Sequence, residues 1–150
     1  MNTKQIHASC IAIGNKGVLL LGETGAGKSD LALRLIDRGA VLVADDQVKL
    51  TPKGKTIIAT APLRIQKLLE VRGIGIFKLK VKKSIKVELV VQLVEQEWIE
   101  RLPYPEPYEC LGKYIPQLRL CAFEASAAIK IEMALASLQD GSMTVGAFKE

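Results

Sequence analysis

The sequence predicts an α/β fold, a mixed β-sheet that carries a P-loop and is flanked by helices. Three observations support this fold. A glycine-rich loop lies between a strand pattern and a helical pattern, two pairs of strand patterns are joined by short turns, and only two or three segments have helical spacing. Two hairpins exclude a sheet whose parallel strands alternate strictly with helices. With 150 residues, of which 49% are hydrophobic, the chain can form one domain with its own core.

The first half of the chain contains most of the strand patterns. Apolar residues at helical spacing follow the glycine-rich loop and end at Gly39, which is typical of a helix C-terminus. In order, the predicted elements are a hairpin at 6–13 and 18–21, the glycine-rich loop, a helix ending at Gly39, a strand at 41–44, and a hairpin at 47–51 and 56–59.

The second half is predicted to be less regular. In order, its patterns predict a short helix with Leu63, Ile65, Leu68 and Leu69, a half-solvated strand face at 78–86, a long strand at 85–94, an irregular loop at 102–112, a strand at 115–120, and a helix at 124–138. We expect a single domain over residues 1–138 and a loose C-terminal tail at 139–150.

The composition argues against several classes of protein. No apolar run approaches the roughly 20 residues of a membrane helix, and the first ten residues lack the apolar stretch of a secretory signal, so we expect a cytoplasmic protein without a membrane partner. The net charge of +5 could attract the phosphates of a nucleic acid. However, the chain has only three Phe, three Tyr and one Trp on which bases could stack, so we expect no nucleic-acid partner. Three cysteines without a CxxC pair are typical of small buried side chains.

The P-loop pattern G-x-x-x-x-G-K-[ST] is the strongest motif in the chain. Its residues are Gly22, Glu23, Thr24, Gly25, Ala26, Gly27, Lys28 and Ser29. Glycines let backbone N–H groups turn towards phosphate oxygens, and the N-terminus of the following helix adds positive partial charge. Lys28 is expected to reach the β- and γ-phosphates, and Ser29 is expected to ligate Mg²⁺. A nucleotide phosphate group and Mg²⁺ are therefore the expected ligands of this loop.

A pair of adjacent carboxylates, Asp45 and Asp46, follows the predicted strand at 41–44. One can hold water or metal near the phosphates, and the other can act as a base towards a hydroxyl group. The alternative is that they simply begin a polar turn. His7, the only histidine, either pairs with one of them or is an ordinary half-buried strand residue. Taken alone, Glu70 is explained equally well by a surface ion pair.

Several segments together resemble HPr kinase/phosphorylase, the bacterial family that phosphorylates a serine of the phosphocarrier protein HPr. The resemblance covers about residues 5–78 and rests on His7, the P-loop, the run at 38–48 and the run at 69–76. It implies the catalytic-domain fold of that family, an ATP- and Mg²⁺-dependent serine kinase, and an HPr-like phosphocarrier as substrate. It also implies a homo-oligomer, with a hexamer as the family's assembly.

The resemblance also implies roles for individual residues. Asp46 would take the proton from the substrate serine, and His7 would support the acid pair. The implied catalytic residues are Asp46, His7, Lys28 and Arg101, the implied nucleotide-binding residues are those of the P-loop, and the implied metal ligands are Ser29 and Glu70.

The sequence departs from the family at three points, one of which is a stretch between Ile76 and Ile85 that is shorter than usual. Family members commonly carry a further N-terminal domain, so we expect a short form that lacks its regulation. The family's P-V-x-x-G-R-N segment, linked to dephosphorylation, would fall near residues 115–120 and is not reproduced. We therefore expect weak or absent phosphorylase activity. Two other functions stay open from the P-loop alone: a kinase for a small metabolite, and a nucleotide-binding regulatory module that changes shape without turnover.

Overall fold

The computed structural model describes residues 2–150 as a mixed α/β fold, which confirms the predicted fold class. The strands within these residues are β1 (Lys4–His7), β2 (Ser9–Ile13), β3 (Lys16–Leu21), β4 (Val41–Ala44), β5 (Gln47–Lys53), β6 (Thr56–Thr60), β7 (Leu68–Val71), β8 (Gly75–Lys78), β9 (Ser84–Leu93), β10 (Tyr108–Cys110), β11 (Lys113–Ile115) and β12 (Gln117–Leu120). The α-helices are α1 (Lys28–Asp37) and α2 (Ala127–Asp140), and short 3-10 helices occupy Leu63–Ile65 and Gln96–Trp98. Neither α-helix has the length and apolar character needed to cross a membrane.

Eight of the strands form one mixed sheet. They follow the order β1-β5-β6-β9-β3-β2-β4, and β12 pairs with the second half of β9. β9 is parallel to both β3 and β12, whereas β2 is antiparallel to both β3 and β4. Consequently β4, β3, β9 and β12 run in one direction, and their carboxyl ends lie at the same edge of the sheet.

The ten-residue strand β9 joins the two halves of this sheet. Its first residues pair antiparallel with β6, and its later residues lie between β3 and β12. Its side chains alternate between exposed and buried up to Val87, after which Leu89, Val90 and Val91 are all buried. A strand covered on both faces needs such a continuous apolar run.

Two apolar clusters cover opposite faces of the sheet. Val18 and Leu20 of β3 join the cluster that packs against α1 and α2, whereas Leu19 joins a second cluster with side chains of β5 and β6. Successive side chains of a strand point to opposite faces, so β3 contributes to both clusters. Leu31 of α1 and Ile131 of α2 are fully buried in the first cluster, which fixes both helices on one face.

The hairpins β2–β3 and β5–β6, the strands β4 and β9, and the helix α1 confirm their predicted counterparts. At the C-terminus, α2 extends to Asp140, beyond the predicted end at 138. Ala147 and Phe148 pack against the first apolar cluster. The division into one domain and a loose tail at 139–150 stays a prediction.

The predicted short helix at 63–69 is wrong. Leu63–Ile65 forms a short 3-10 helix, and Leu68 and Leu69 lie in β7, which pairs with β8 in a separate two-stranded sheet. Leu69 is buried while the next residue is exposed, which is the alternation of a strand. Lys67 has a φ of 70°, a left-handed backbone that cannot continue a helix.

Three other boundaries in the second half are also corrected. The strand predicted at 78–86 is not continuous, because β8 ends at Lys78 and β9 begins only at Ser84. The loop predicted at 102–112 contains β10, and the strand predicted at 115–120 is divided at Pro116 into β11 and β12. Proline lacks the N–H group that an uninterrupted strand would use for pairing.

Candidate active site

The glycine-rich loop and the two aspartates lie at one edge of the sheet. The loop at 22–27 follows β3, and Asp45 and Asp46 follow β4. β3 and β4 run in the same direction with only β2 between them. Open α/β sheets bind ligands outside the carboxyl ends of their strands. The topology therefore brings the two sequence motifs to one potential site.

Two glycines of the loop are required by close packing. A Cβ atom at Gly22 would lie 2.9 Å from the Ala26 Cβ and 3.1 Å from the Leu93 carbonyl oxygen. At Gly27, where φ is 97°, a Cβ atom would lie 2.8 Å from the Ala122 Cβ. The loop is therefore held tightly against the residues at the ends of β9 and β12, and it leads into the N-terminus of α1, where backbone amides can face an anion.

The Lys28 ammonium group is folded back across the loop. Its Nζ atom donates hydrogen bonds to the carbonyl oxygens of Gly22 at 2.6 Å and Glu23 at 3.1 Å. Burial lowers the pKa of Lys28, and the negative charges of Asp46 and Asp45 act in the opposite direction. A cation beside a loop of amide groups is suited to binding phosphate oxygens.

Asp45 is buried and accepts hydrogen bonds from two serines. Ser9 Oγ donates to Oδ1 at 2.6 Å, and Ser29 Oγ donates to Oδ1 at 2.8 Å and to Oδ2 at 3.1 Å. Hydroxyl and carboxylate oxygens are the hard ligands that Mg²⁺ prefers, and Mg²⁺ usually keeps several waters besides one or two protein ligands. The pair of Ser29 and Asp45 therefore fits a hydrated magnesium ion.

Asp46, by contrast, is exposed and pairs with His7, whose Nε2 atom lies 2.9 Å from Oδ1. Asp46 has a φ of 71°, and its carbonyl oxygen accepts a hydrogen bond from the Ala8 amide at 3.1 Å. The strand predicted at 6–13 is interrupted at Ala8, which leaves His7 in β1 beside β5. The left-handed backbone at Asp46 thus gives the two adjacent carboxylates different surroundings, one buried and one facing solvent.

Glu70 and Arg101 share no hydrogen bond with this cluster in the part of the chain that the structure describes. Glu70 is exposed on β7, in the small sheet that contacts α1. Arg101 is exposed in the segment that follows the 3-10 helix Gln96–Trp98. Over residues 2–150, no group of three or more His, Cys, Asp or Glu side chains could hold a metal ion. The roles that the resemblance implies for Glu70 and Arg101 stay predictions.

Sequence reasoning does not predict Ser9 as a residue of the site. It also does not predict that Asp45 is buried whereas Asp46 is exposed. A serine in a strand pattern has no distinguishing spacing. The relevant signal is positional, because β2 lies beside β4 and the Cys10–Ala44 pair places Ser9 next to the end of β4. That pairing follows from the tertiary fold and not from local sequence.

A cleft of about 610 Å³ adjoins the other side of the loop. Loop residues 22–26 line it together with residues at the ends of β9 and β12, among them Trp98 and Phe123. Neither aromatic residue belongs to the candidate site predicted from the sequence, because a single aromatic residue in a loop has no informative spacing.

Comparison with known proteins identifies relatives that all carry the name of one kinase family. The sequence model of one protein family, described as the HPr Serine kinase C-terminal domain, matches residues 1–150 of this chain. The HPr kinase/phosphorylase of Caldicellulosiruptor bescii is 41% identical over 126 residues, which cover 75% of this chain and 40% of that protein. The HPr kinase/phosphorylase of Cupriavidus necator is 39% identical over 142 residues, which cover 87% of this chain and 44% of that protein.

The similarity extends to three dimensions. A solved structure of the Hpr(Ser) kinase/phosphatase from Coxiella burnetii superposes with a TM-score of 0.82 at 28% identity, and the match covers 92% of each chain. The chain spans about half the length of the curated relatives it matches, between 40% and 53% of each.

Proposed function

Because the chain belongs to the HPr Serine kinase C-terminal domain family, we propose that it transfers the γ-phosphoryl group of ATP to a serine of an HPr-like phosphocarrier protein. The observation that carries this proposal is that two groups of side chains with different chemistry lie at one edge of the sheet. The buried Lys28 and the buried Asp45, which accepts a hydrogen bond from Ser29, lie beside the exposed Asp46. The first group suits phosphate and metal, and the second suits an incoming hydroxyl group.

The glycine-rich loop would bind the triphosphate of ATP. Its amides and the Lys28 ammonium would donate to phosphate oxygens, in place of the carbonyl oxygens of Gly22 and Glu23 that Lys28 contacts in this structure. Ser29 and Asp45 would hold Mg²⁺, and Glu70 is a further proposed ligand on family grounds. An ion held by these residues would supply positive charge that offsets the negative charge developing during transfer.

Asp46 is proposed as the general base. Its Oδ1 atom is engaged by His7, so Oδ2 is the oxygen available to accept the proton of a serine hydroxyl. As that proton moves to the carboxylate, the serine oxygen forms a bond to the γ-phosphorus, and the bond from the γ-phosphorus to the β,γ-bridging oxygen breaks to release ADP. Arg101 is proposed, on family grounds, to stabilise charge on the transferring group.

A protein substrate suits the position of this base. The side chain of Asp46 is 67% exposed and that of His7 is 44% exposed, so a serine on the surface of another protein can approach them. A kinase for a small metabolite would need a lid that encloses its substrate. A regulatory module without turnover would give the exposed pair of His7 and Asp46 no chemical role.

We also propose weak or absent phosphorylase activity. Attack by inorganic phosphate needs fixed donors for a second anion, such as glycine-loop amides and a forked arginine. Residues 117–120 form strand β12, in which Gln117, Leu118 and Leu120 are buried, while the exposed Arg119 pairs with Glu106. The next loop, at 121–126, contains neither glycine nor arginine.

Turnover of ATP separates the three candidate functions. We propose ATP hydrolysis that is slow alone and phosphoryl transfer that requires an HPr-like protein. Transfer to a small metabolite would instead indicate the metabolite kinase, and binding without turnover would indicate the regulatory module. A homo-oligomer, which family resemblance supports, and a cytoplasmic site of action, which the sequence pattern supports, complete the proposal.

A further inference from the structure

The topology places two unexplained segments beside the glycine-rich loop. That loop follows β3, with Asp45 and Asp46 after β4 on one side of it. On the other side, β9 and β12 run parallel to β3, so the segments that follow them, at 94–98 and 121–126, emerge at the same edge. The hydrogen-bonded part of the proposed site, the Ser29–Asp45 and His7–Asp46 pairs, lies on the β4 side. A triphosphate that has its γ-end there and crosses the glycine-rich loop directs its opposite end towards β9 and β12.

The cleft of about 610 Å³ lies on the side to which that opposite end would point. Its volume is in the range of small-molecule sites in proteins. Trp98 and Phe123 both line it, with 71% and 69% of their surfaces exposed. Large aromatic side chains left exposed at a cleft are suited to stacking on a planar ring, since stacking buries both faces without needing hydrogen bonds.

The position of Phe123 is set by contacts that exist without ligand. Its ring lies 3.3 Å from the Cβ that Gly27 would carry if it were substituted. The guanidinium group of Arg34, on α1, donates hydrogen bonds to the carbonyl oxygens of Ala122 and Glu124 on either side of Phe123. The same helix therefore carries Lys28 and Ser29 of the P-loop and holds the loop at 121–126 in place.

Few polar groups remain at this cleft to recognise the edge of a ligand. The side-chain amide of Gln92 already donates to Gln117 at 3.0 Å. Glu95 and Gln96 are the other polar side chains beyond the glycine-rich loop that line the cleft. A sugar or peptide would need several matched hydrogen bonds, whereas an aromatic heterocycle can be held mainly by its faces.

We propose that this cleft is the nucleobase subsite, in which the base stacks against Trp98 and Phe123 while the phosphates extend to the glycine-rich loop. Arg34 is a positioning residue of this subsite, because it holds the loop that carries Phe123. The inference rests on the proposed function, since it assumes that a nucleoside triphosphate occupies the P-loop.

The chain contains a single tryptophan, so Trp98 fluorescence reports directly on this cleft. We expect Mg²⁺–ATP to quench that fluorescence on binding and inorganic Mg²⁺–tripolyphosphate, which has no base, to bind without comparable quenching. The substitutions Trp98→Ala and Phe123→Ala should each weaken ATP binding about tenfold and leave tripolyphosphate binding unchanged in calorimetry. Arg34→Ala should show the same selective loss, which a general effect on folding would not produce.

Tyr114→Ala is the matched control, because Tyr114 is an exposed aromatic residue on β11 and does not line the cleft. It should leave the affinity for ATP unchanged. Wild-type affinity for ATP in both Trp98→Ala and Phe123→Ala would overturn the subsite. Because these are binding measurements, selective loss together with no phosphorylation of any carrier protein would support the subsite and overturn the proposed kinase function instead.

Discussion

The imidazole of His7 and the carboxylate of Asp46 lie 2.9 Å apart, although the two residues are 39 positions apart in the chain. Both side chains are substantially exposed, and an exposed ion pair contributes only about 0–1 kcal/mol to stability. The contact therefore matters more for the orientation of the Asp46 carboxylate than for the stability of the fold. It leaves one oxygen of Asp46 directed by His7 and the other available to a substrate hydroxyl group.

We predict that Asp46→Asn lowers phosphoryl transfer by about 10²–10⁴-fold, because an amide cannot accept the hydroxyl proton. ATP binding should persist, since the glycine-rich loop and Lys28 are intact. His7→Gln should reduce the rate less, because the base itself remains. Steady-state transfer rates and calorimetric ATP affinities measure both effects. Loss of ATP binding in Asp46→Asn with normal residual transfer would make Asp46 a binding residue.

Lys28→Ala should reduce ATP affinity by about 10- to 100-fold, because it removes a charge-assisted contact to phosphate. The fold should persist, since the hydrogen bonds of the Lys28 ammonium group go to carbonyl oxygens of the loop. Circular dichroism checks that the fold persists, and calorimetry measures the affinity for ATP. Lys55→Ala, in the exposed turn between β5 and β6, is the matched control. Equal ATP affinities in the two variants would contradict the P-loop role.

Asp45→Asn and Glu70→Gln test the proposed metal ligands. Asp45→Asn should raise the Mg²⁺ concentration for half-maximal activity by about tenfold or more, because its carboxylate is buried against Ser29. Glu70→Gln should raise it less, since Glu70 is exposed and outside the cluster. Magnesium titrations at saturating ATP measure both values. An unaltered metal requirement in Glu70→Gln would leave Glu70 as a surface residue.

Thiol reactivity provides a test that needs no substrate protein. Burial raises the pKa of the Cys10 thiol to about 12, so Cys10 should resist iodoacetamide in the folded protein at pH 8. Cys121 is partly exposed and lines the cleft, so it should be alkylated first. Mass spectrometry of timed samples identifies the modified residue. Mg²⁺–ATP should slow labelling of Cys121, and equal rates with and without nucleotide would argue against occupancy of the cleft.

Much of the site follows from local patterns. The P-loop motif and its flanking strand and helix are recognisable because glycine positions, a lysine and a serine occur at required spacings. The different surroundings of Asp45 and Asp46 are not recognisable in this way. They depend on the left-handed backbone at Asp46 and on the pairing of β2 with β4, which only the folded chain defines.

The elements that sequence reasoning misplaced also depend on tertiary contacts. Leu63, Leu68 and Leu69 fit a helical pattern and a strand pattern equally well, and the burial of Leu69 in the first apolar cluster favours the strand. Trp98 and Phe123 meet at one cleft because β9 and β12 pair in parallel. No local spacing encodes that pairing.

The most direct test of the central claim is to incubate the chain with Mg²⁺, γ-labelled ATP and a purified HPr-like protein, and to map the label by mass spectrometry. The proposed function predicts label on a single serine of the carrier, and none above background with Asp46→Asn. No label on the carrier, or equal labelling by the wild type and Asp46→Asn, would contradict it.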